Sequence, residues 1–527
     1  MTVDVDIAVL DAPPAKVSNT GDSAAMRRQI LNPERFRVFS GRRLVGLDNP
    51  PHALTRAVEP AFIRHKTGQA REIFVDGKKK CVFAALLPRA RFSDSLSAPN
   101  FFASRTLAKR RFLLSMKAIL QAESNLKRIE PMPNETDPPL IQKLQPRGFL
   151  SFGPDFQGIE LRALNLIIGP NGSGKSNLIE AVALMRAAPK DWRDVTRKGG
   201  GVGEWIWKGA KDGVASVAMT FMDDGAKIPI VHEMRFRELS GRFDLVEEII
   251  HDQEQSGGMG EGYYSTAFGH GGPIVARTTP SGDQQWGEAP NIPGQSILSQ
   301  LRDPHHYPAL TWLGQNYEKI RIYRDWAFGR NTVFRNPQQA DMRRNVLEED
   351  FSNLGLFLSR IKSEFPATKR AILKALEDLY EGITDFEVNT NGGTVQVFLH
   401  EGDFAIPATR LSDGTLRYLC LLAILCDPEP PPLICIEEPE LGLHPDILPN
   451  LADLLLKASE RTQLIVTTHS DILIDAMTET PENVVLCEKH EGKTEMHRLQ
   501  ADDLKVWLDK YRLGQLWIQG QLGGTRW

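Results

Sequence analysis

The segment that most constrains this chain is Gly169-Pro170-Asn171-Gly172-Ser173-Gly174-Lys175-Ser176, which fits the pattern G-x-x-x-x-G-K-[ST] at every position. Glycines in such a loop let backbone N–H groups turn toward phosphate oxygens beside a helix N-terminus. An apolar run, Leu164–Ile168, leads into the loop, and the apolar spacing over 177–186 predicts a helix after it. The strand–loop–helix order predicts an α/β fold of the P-loop NTPase class.

The loop predicts a site for ATP and Mg²⁺. We expect Lys175 to reach the β- and γ-phosphates and the Ser176 hydroxyl to ligate Mg²⁺. The full set expected to bind the nucleotide from this side comprises Gly169, Pro170, Asn171, Gly172, Ser173, Gly174, Lys175, Ser176 and Asn177.

A second buried strand, Leu433-Ile434-Cys435-Ile436, ends in Glu437-Glu438-Pro439-Glu440. Acidic residues at the carboxyl end of such a strand point into the crevice where nucleotides bind. Two adjacent glutamates alone would more often be a solvated strand end, but the phosphate loop favours a catalytic pair. We expect Glu437 to hold Mg²⁺ through water and Glu438 to orient or deprotonate the attacking water.

Two further segments fit the same site. The buried strand Leu464-Ile465-Val466-Thr467-Thr468 ends at His469, which we expect to donate a hydrogen bond to the γ-phosphate. Ser412 and Gly414 begin an apolar helix some 16 residues before the acidic strand, which is an anion-binding position. Taken alone, Ser412 or Asp413 could equally be an ordinary helix cap.

Together these motifs resemble the ATPase head of ABC proteins, and most closely the RecF/SMC branch and its small predicted-ATPase relatives. The resemblance is carried by the phosphate loop and by the segment Glu437–Pro445. It is also carried by Thr468-His469-Ser470 and by a tail that includes Leu513-Gly514-Gln515-Leu516-Trp517. It covers residues 145–527, strongly at the motifs and weakly between them.

The resemblance implies a mechanism as well as a fold. Two heads would pair head to tail and trap two ATP molecules. Ser412 and Gly414 of one subunit would face the γ-phosphate held by Lys175 of the other. Glu438 would be the hydrolytic base, and hydrolysis would release the homodimer.

This chain departs from the family pattern at two positions. The signature motif, which is the start of the apolar helix, is Ser412-Asp413-Gly414 here, where ABC proteins usually have Ser-Gly-Gly. The Walker B motif, which is the acidic strand end, has Glu437 in place of the usual aspartate. Both departures leave the site recognisable. Asp413 affects the contact expected across the dimer, and Glu437 affects the contact expected with Mg²⁺.

The chain is divided into four parts by its patterns. We predict a basic, poorly ordered extension over 1–131, the first half of the ATPase head over 145–250, and its second half over 401–527. An inserted lobe of mixed α and β structure, with a long loop, helices and a hairpin, would occupy 251–400.

Secondary structure between the motifs is predicted from periodicity and turn residues. Strands are expected over 147–153, 159–161, Val214–Phe221, 229–236 and 318–323, a long loop over 252–300, helices over 345–379 with a break near Pro366, and a hairpin of 386–389 with 394–400.

Charge is unevenly distributed along the chain, whose formal net charge is −4. Residues 26–128 hold 22 Lys and Arg against 7 Asp and Glu, including the clusters Arg42-Arg43, Lys78-Lys79-Lys80 and Lys109-Arg110-Arg111. Such clusters bind nucleic-acid phosphates without reading sequence. A solvated, partly disordered extension would also produce this composition. So would a true start at Met132, with the upstream residues translated from a misjudged reading frame.

Composition places the protein among globular, cytoplasmic chains. The acidic N-terminus lacks the pattern of a secretory signal, and no run of 18 apolar residues predicts a membrane span. Five cysteines without a CxxC pair indicate a reducing compartment and make a zinc site improbable.

Two functions follow from these patterns. The leading hypothesis is an ATP-hydrolysing, DNA-associated switch in DNA repair, genome maintenance or phage defence. The interval from Ser176 to Ser412 spans 236 positions without sustained heptads, which fits a compact lobe and not a long coiled coil. The alternative is the ATPase subunit of a two-component nuclease or toxin system, acting through a nuclease or effector partner. A membrane transporter's ATPase is disfavoured because the insertion is too long.

Overall fold

A computed structural model describes residues 140–523, apart from gaps at 211, 223–228, 254–261, 267–271, 280–283, 291 and 327–328, and the backbone of strands between residues 5 and 84. The chain divides into two compact units, Met1–Ile129 and Glu130–Trp527. The four-part division predicted above is finer than this and stays a prediction.

The first unit contains one six-stranded sheet in the order β3-β2-β1-β6-β5-β4. Its strands are β1 (Val5–Leu10), β2 (Phe36–Ser40), β3 (Arg43–Val45), β4 (Val58–Arg64), β5 (Ala70–Asp76) and β6 (Lys80–Ala84). The strands β1 and β6 are parallel, and the other pairs are antiparallel. The sequence patterns did not predict these strands. The poor order expected over 1–131 stays a prediction, and the basic clusters lie wholly or partly outside the described residues.

The second unit contains eighteen described strands. They are β7 (Ile141–Arg147), β8 (Ile159–Glu160), β9 (Leu164–Ile168), β10 (Val214–Phe221), β11 (Ile230–Leu239), β12 (Arg242–Asp252), β13 (Gly262–Ser265), β14 (Ile274–Thr278), β15 (Gln284–Glu288), β16 (Arg321–Tyr323), β17 (Gln338–Gln339), β18 (Ile383–Asn391), β19 (Thr394–Glu401), β20 (Phe404–Pro407), β21 (Leu433–Glu437), β22 (Gln463–Thr467), β23 (Val484–His490) and β24 (Lys493–Arg498).

Helices alternate with these strands. The α-helices are α1 (Lys175–Arg186), α2 (Trp192–Lys198), α3 (Ile297–Gln300), α4 (Pro308–Lys319), α5 (Leu354–Glu364), α6 (Pro366–Leu379), α7 (Asp413–Leu425), α8 (Leu448–Ser459), α9 (Asp471–Asp475), α10 (Ala501–Leu508) and α11 (Leu513–Ile518). Short 3₁₀ helices are Val202–Trp205, Val333–Arg335, Ala408–Arg410, Pro445–Ile447 and Pro481–Asn483. Among the described residues, no helix has the length and apolar character to span a bilayer.

The central sheet has the strand order β16-β21-β22-β9-β23-β24. Its first five strands are parallel, and β24 is antiparallel to β23. Side chains of β9 and β22 are buried on both faces, as in sheets covered by helices on both sides. Leu166 and Val466 pack into one hydrophobic core, and Ile167 and Ile465 pack into the other. The predicted α/β fold, with a buried strand, the phosphate loop and a helix in that order, is confirmed.

Strand order determines where the functional motifs meet. The strand β22 lies between β9, which leads into the phosphate loop, and β21, which ends in the glutamates. Because all three strands are parallel, their carboxyl ends lie along one edge of the sheet.

An eight-stranded antiparallel sheet, in the order β15-β14-β13-β12-β11-β10-β7-β8, packs beside the central sheet. The long loop predicted over 252–300 is wrong, because β13, β14 and β15 extend this sheet and α3 follows. The sequence between these short strands is rich in glycine. The outermost one, β15, is mostly exposed, so it carries no apolar alternation that a sequence pattern could show.

The opening strand lies earlier than predicted. Residues 141–147 form β7, whereas 148–153 form a turn in which Gly148 and Leu150 have φ values of 59° and 49°. A Cβ at Gly148 would lie 2.6 Å from the carbonyl oxygen of Val214, so glycine is required where the chain leaves the sheet. The predicted strand at 318–323 is also shorter, because α4 continues to Lys319.

The helical and hairpin region follows the prediction more closely. The break at Pro366 separates α5 from α6, and β18 and β19 form the expected hairpin, with positive φ at Gly392 and Gly393. Residues 345–353 are not helical. The side chain of Asn353 explains why, since it donates to the carbonyls of Arg343 and Val346 and accepts from Glu348 N–H, which holds this stretch as a loop.

A buried polar cluster ties the antiparallel sheet to α3 and α4. Glu248 is completely buried, and its carboxylate accepts hydrogen bonds from Ser296 Oγ at 2.5 Å and Ile297 N at 3.0 Å. His232 Nε2 lies 3.1 Å from Glu248 Oε1, and His232 Nδ1 lies 2.8 Å from the hydroxyl of Tyr317. The cluster satisfies polar groups of one buried region that come from four elements, β11, β12, α3 and α4.

Replacing Glu248 with Ala is expected to reduce the free energy of unfolding by about 3–5 kcal/mol, because it leaves several buried polar groups without their acceptor. The neighbouring Glu247 provides a matched control, since it pairs with Arg235 near the surface at 3.1 Å. Glu247→Ala should cost about 1 kcal/mol or less. Urea unfolding of both variants tests this, and equal midpoints for the two would contradict it.

Candidate functional site

The phosphate loop joins the end of β9 to the start of α1 and requires glycine at two of its positions. A Cβ at Gly169 would lie 2.1 Å from the carbonyl oxygen of Cys487, and one at Gly174 would lie 2.1 Å from Thr494 Oγ1. Gly174 also has a φ of 112°, which side chains disfavour. The loop therefore packs against β23 and β24 so closely that only this backbone fits.

Side chains distant in sequence hold the loop in place. Thr494 Oγ1 donates to the Ser173 carbonyl at 2.6 Å and lies 2.6 Å from Ser151 Oγ. Asn177 Nδ2 donates to Ser151 Oγ at 2.6 Å. The structure thus gives Asn177 a scaffolding contact, and its predicted contact with nucleotide stays a prediction. Sequence patterns did not identify Ser151 or Thr494, because neither lies near the motif in the chain.

Lys175 lies within the loop, and its side chain is almost fully buried. Its ammonium group donates to the carbonyls of Gly169 at 2.9 Å and Pro170 at 3.1 Å. Burial lowers the pKa of Lys175, and the nearby groups of Cys487, Glu438, Glu440 and Glu437 oppose this shift. The loop carbonyls keep the cation where phosphate oxygens would meet it.

Glu437 faces the first turn of α1 across the crevice. Ser176 Oγ donates to Glu437 Oε2 at 3.5 Å, which unites the two predicted Mg²⁺ ligands. Burial raises the pKa of Glu437, while Arg324 acts in the opposite direction. Arg324 itself donates to Glu180 of α1 at 2.6 Å.

Glu438 has an unusual backbone conformation, with φ of 47°. Its N–H donates to the Thr467 carbonyl at the end of β22 at 2.9 Å, and its carbonyl accepts from Arg417 Nη2 at 2.7 Å. His469 Nε2 lies 3.6 Å from Glu438 Oε1. The structure thus brings Glu438, the predicted base, close to His469, the predicted hydrogen-bond donor to the γ-phosphate.

Three residues that the sequence patterns did not assign position this pair. Glu440 accepts from the backbone N–H of His469 and from Thr468 Oγ1, both at 2.7 Å, which anchors the histidine. Trp326 Nε1 donates to the Glu437 carbonyl at 2.7 Å. The guanidinium of Arg417 lies 4.4 Å from the centre of the Trp326 ring. Arg417 and Trp326 therefore hold adjacent carbonyls while contacting each other.

Replacing Arg417 with Met is expected to lower the maximal rate of ATP turnover by about tenfold or more, with little change in nucleotide affinity. The guanidinium holds the backbone of Glu438, and small displacements of a catalytic group lower the reaction rate strongly. It lies on α7, outside the phosphate loop, so nucleotide affinity should change little. Steady-state kinetics and nucleotide titration measure the two quantities separately.

Trp326→Phe is the companion variant, since it keeps an aromatic ring under Arg417 and removes the indole N–H that bonds to Glu437. We expect a smaller loss of rate in the same direction. A change in nucleotide affinity with an unchanged maximal rate in either variant would contradict the positioning role.

Ser412 and Gly414 lie at the N-terminus of α7. Ser412 caps α7, accepting from Thr415 N–H at 3.0 Å. Gly414 lies beside the Gly442 carbonyl, 3.0 Å from where a Cβ would be. Their predicted contact with nucleotide across a dimer stays a prediction.

The residues present fit a nucleotide and Mg²⁺. The glycine-rich loop carries the ammonium group of Lys175 and leads into the N-terminus of α1, which suits phosphate. The hydroxyl of Ser176 and the carboxylate of Glu437 are oxygen donors of the kind Mg²⁺ prefers. A second carboxylate with a histidine 3.6 Å away supplies groups that can orient and deprotonate water.

A protein-family model matches the part of the chain that contains these residues. Residues 164–225 and 282–475 match the family model described as "AAA domain, putative AbiEii toxin, Type IV TA system". These segments contain the phosphate loop, α7 and the carboxyl ends of β21 and β22. A comparison with curated proteins finds no match.

Similar solved structures are SMC head domains. An Smc head bound to the C-winged helix domain of ScpA has 16% identity and a TM-score of 0.46, covering 70% of this chain and 100% of that chain. An Smc head with an extended coiled coil, bound to the C-terminal domain of ScpA and derived from Pyrococcus furiosus, has 15% identity and a TM-score of 0.43, covering 70% and 99%. The SMC head from Thermotoga maritima has 16% identity and a TM-score of 0.36, covering 68% and 99%.

Proposed function

We propose that this chain, whose motifs resemble an ABC-type ATPase head of the RecF/SMC kind, binds ATP with Mg²⁺ and hydrolyses it to ADP and phosphate. The observation that carries the proposal is the convergence of Lys175, Ser176, Glu437, Glu438 and His469 at the carboxyl ends of β9, β21 and β22. These residues come from three separate segments of the chain and present one cation, two carboxylates and one imidazole to the same crevice.

Each residue has a role in this reaction. Lys175 and the loop N–H groups bind the phosphates, while Ser176 and Glu437 would hold Mg²⁺. When bound, Mg²⁺ neutralises charge on the β- and γ-phosphates. Glu438 orients water and takes its proton as the water oxygen bonds to the γ-phosphorus. The bond from that phosphorus to the bridging oxygen of ADP breaks, and His469 donates a hydrogen bond to the γ-phosphate.

The turnover cycle that fits this head is ATP-dependent pairing of two copies. Ser412 and Gly414 at the N-terminus of α7 would contact the γ-phosphate held by the partner subunit's phosphate loop, so that ATP joins the heads and hydrolysis releases them. The exposed position of Ser412 supports this, since a capping residue at the surface is accessible to a second copy.

The biological role we favour is a DNA-associated switch in genome maintenance or phage defence. Its support is the basic composition of residues 26–128, with an excess of 15 positive charges. A second role, the ATPase subunit of a toxin or nuclease system acting through a protein partner, is supported by the description of the matching family as a putative AbiEii toxin.

ATP turnover by the full-length protein, with and without duplex DNA at one fixed salt concentration, distinguishes these roles. We expect DNA to stimulate turnover. Replacing Lys109-Arg110-Arg111 with three glutamines should weaken the stimulation and leave basal turnover unchanged. Replacing the exposed Lys489 with glutamine is the control for loss of positive charge elsewhere, and it should leave the stimulation by DNA unchanged.

The outcomes point in different directions. Stimulation that falls in the glutamine variant supports the DNA-associated role. Turnover indifferent to DNA shifts the role to a protein-partnered ATPase. Absence of ATP turnover under all conditions would overturn the hydrolytic function itself.

A further inference from the structure

The signature of this chain contains a negative charge where an anion is expected to bind. Asp413 is the first residue of α7, directly after the capping Ser412, and its side chain is 53% exposed. The N-terminus of a helix attracts phosphate through its free N–H groups and its dipole. A carboxylate at the same terminus uses part of that attraction and repels a second anion.

Arg335 lies against this carboxylate from inside the protein. Its guanidinium donates to Asp413 Oδ1, to the Leu411 carbonyl at 2.7 Å and to the Ala408 carbonyl at 3.2 Å. The side chain is only 8% exposed, whereas that of Asp413 is mainly in solvent. A buried cation therefore pairs with a surface carboxylate and also fixes the turn that leads into α7.

The surroundings of this pair are positively charged. A cavity of about 610 Å³ opens beside Ser412 and is lined by Arg330, Arg335, Arg410 and Asp413 among others. Three guanidinium groups against one carboxylate leave an excess of two positive charges in the lining. Arg330 and Arg410 are exposed, so their charge faces an incoming ligand. Such a surface suits a polyphosphate held by another molecule.

We propose that Arg335 is a charge-masking residue: it neutralises Asp413 so that the N-terminus of α7 can receive the triphosphate bound to a second copy of this chain. The proposal rests on the ATP-dependent pairing proposed above and explains how a Ser-Asp-Gly signature is compatible with it. Arg335 acts through Asp413 and is a positioning residue, since its side chain is only 8% exposed whereas that of Asp413 is 53% exposed.

A purely structural role would also use Arg335, because the guanidinium holds two carbonyls of the preceding turn. The two roles differ in what repairs the loss of Arg335. If masking matters, removing the charge of Asp413 restores function without Arg335. If only the turn matters, neutralising Asp413 repairs nothing, since the carbonyls of Ala408 and Leu411 remain without their donor.

The experiment measures ATP-induced dimerisation by sedimentation velocity in the Glu438→Gln background, where hydrolysis cannot dissolve the dimer. Adding Arg335→Gln should weaken dimerisation by about tenfold or more, because a like charge then faces the triphosphate. Combining Arg335→Gln with Asp413→Asn should return dimerisation to the level of the Glu438→Gln parent. Binding of ATP to the separate subunit, measured by titration, should be unchanged in all of these variants.

Arg360 and Glu429 provide the matched control. Arg360 is also a buried arginine that pairs with an exposed carboxylate and donates to a backbone carbonyl, that of Asn345 at 3.1 Å, but it lies away from Ser412. Arg360→Gln, with or without Glu429→Gln, should leave ATP-induced dimerisation intact even where it lowers the melting temperature.

Three results would overturn parts of this account separately. Glu438→Gln protein that binds ATP and stays monomeric removes the pairing proposed above, and charge masking with it. Pairing that is unaffected by Arg335→Gln overturns masking alone. Failure of Asp413→Asn to rescue Arg335→Gln, through misfolding or otherwise, assigns Arg335 a structural role and also overturns masking.

Discussion

Protein with Glu438 replaced by Gln is expected to turn over ATP about 10²–10⁴-fold more slowly than the native chain while still binding the nucleotide. The amide keeps the shape and hydrogen-bonding capacity of the carboxylate but cannot take the proton of the attacking water. The phosphate-binding groups, Lys175 and the loop N–H groups, are untouched. Phosphate release measures the rate, and nucleotide titration measures the binding.

The same variant should accumulate as an ATP-bound dimer, since hydrolysis is the step that releases the proposed pair. Glu479→Gln is the matched control, because Glu479 is exposed and lies outside the crevice. That variant should turn over ATP at the native rate. Native turnover in Glu438→Gln would place the catalytic base elsewhere, with Glu437 the next residue to test.

Replacing Lys175 with Ala should weaken ATP binding by about 100-fold or more. The ammonium group is buried and held by the carbonyls of Gly169 and Pro170, so the loop is organised around a fixed positive charge. Without that charge, the β- and γ-phosphates lose the ammonium group that would contact them directly. Titration with a fluorescent ATP analogue in the presence of Mg²⁺ measures the affinity.

Lys190→Ala controls for loss of a positive charge near the same helix, since Lys190 is exposed and follows the C-terminal end of α1. Its affinity for ATP should equal that of the native protein. If Lys175→Ala protein keeps native affinity and an unchanged melting temperature, the phosphate-loop assignment is wrong. Lys175→Ala and Glu438→Gln together separate nucleotide binding from hydrolysis.

The arrangement around Glu438 also links the two ends of the proposed cycle. Arg417 lies on α7, whose N-terminus carries Ser412, and its guanidinium holds the Glu438 carbonyl at 2.7 Å. A nucleotide contact at the start of α7 would therefore act on the helix that positions the base. The Arg417 and Trp326 variants test this link directly.

Sequence patterns predicted the central elements well because the determinants are local. The bounds of β9 and β10 agree with those expected, and the helix after the phosphate loop begins two residues earlier, at Lys175. Short apolar runs indicate buried parallel strands regardless of what covers them. The prediction was wrong where that signal is weak, as in the exposed strands within 252–300 and the turn at 148–153.

The sequence by itself determined the class of fold and the chemical groups of the site, because a phosphate loop and strand-end glutamates are set by the backbone conformation of short segments. Only the tertiary structure decided which distant residues complete the site. Thr494 lies 321 positions from the Ser173 carbonyl it bonds, and Trp326 lies 111 positions from Glu437. Such contacts depend on the order of strands in the sheet and on the packing of helices against it, and no local pattern records either one.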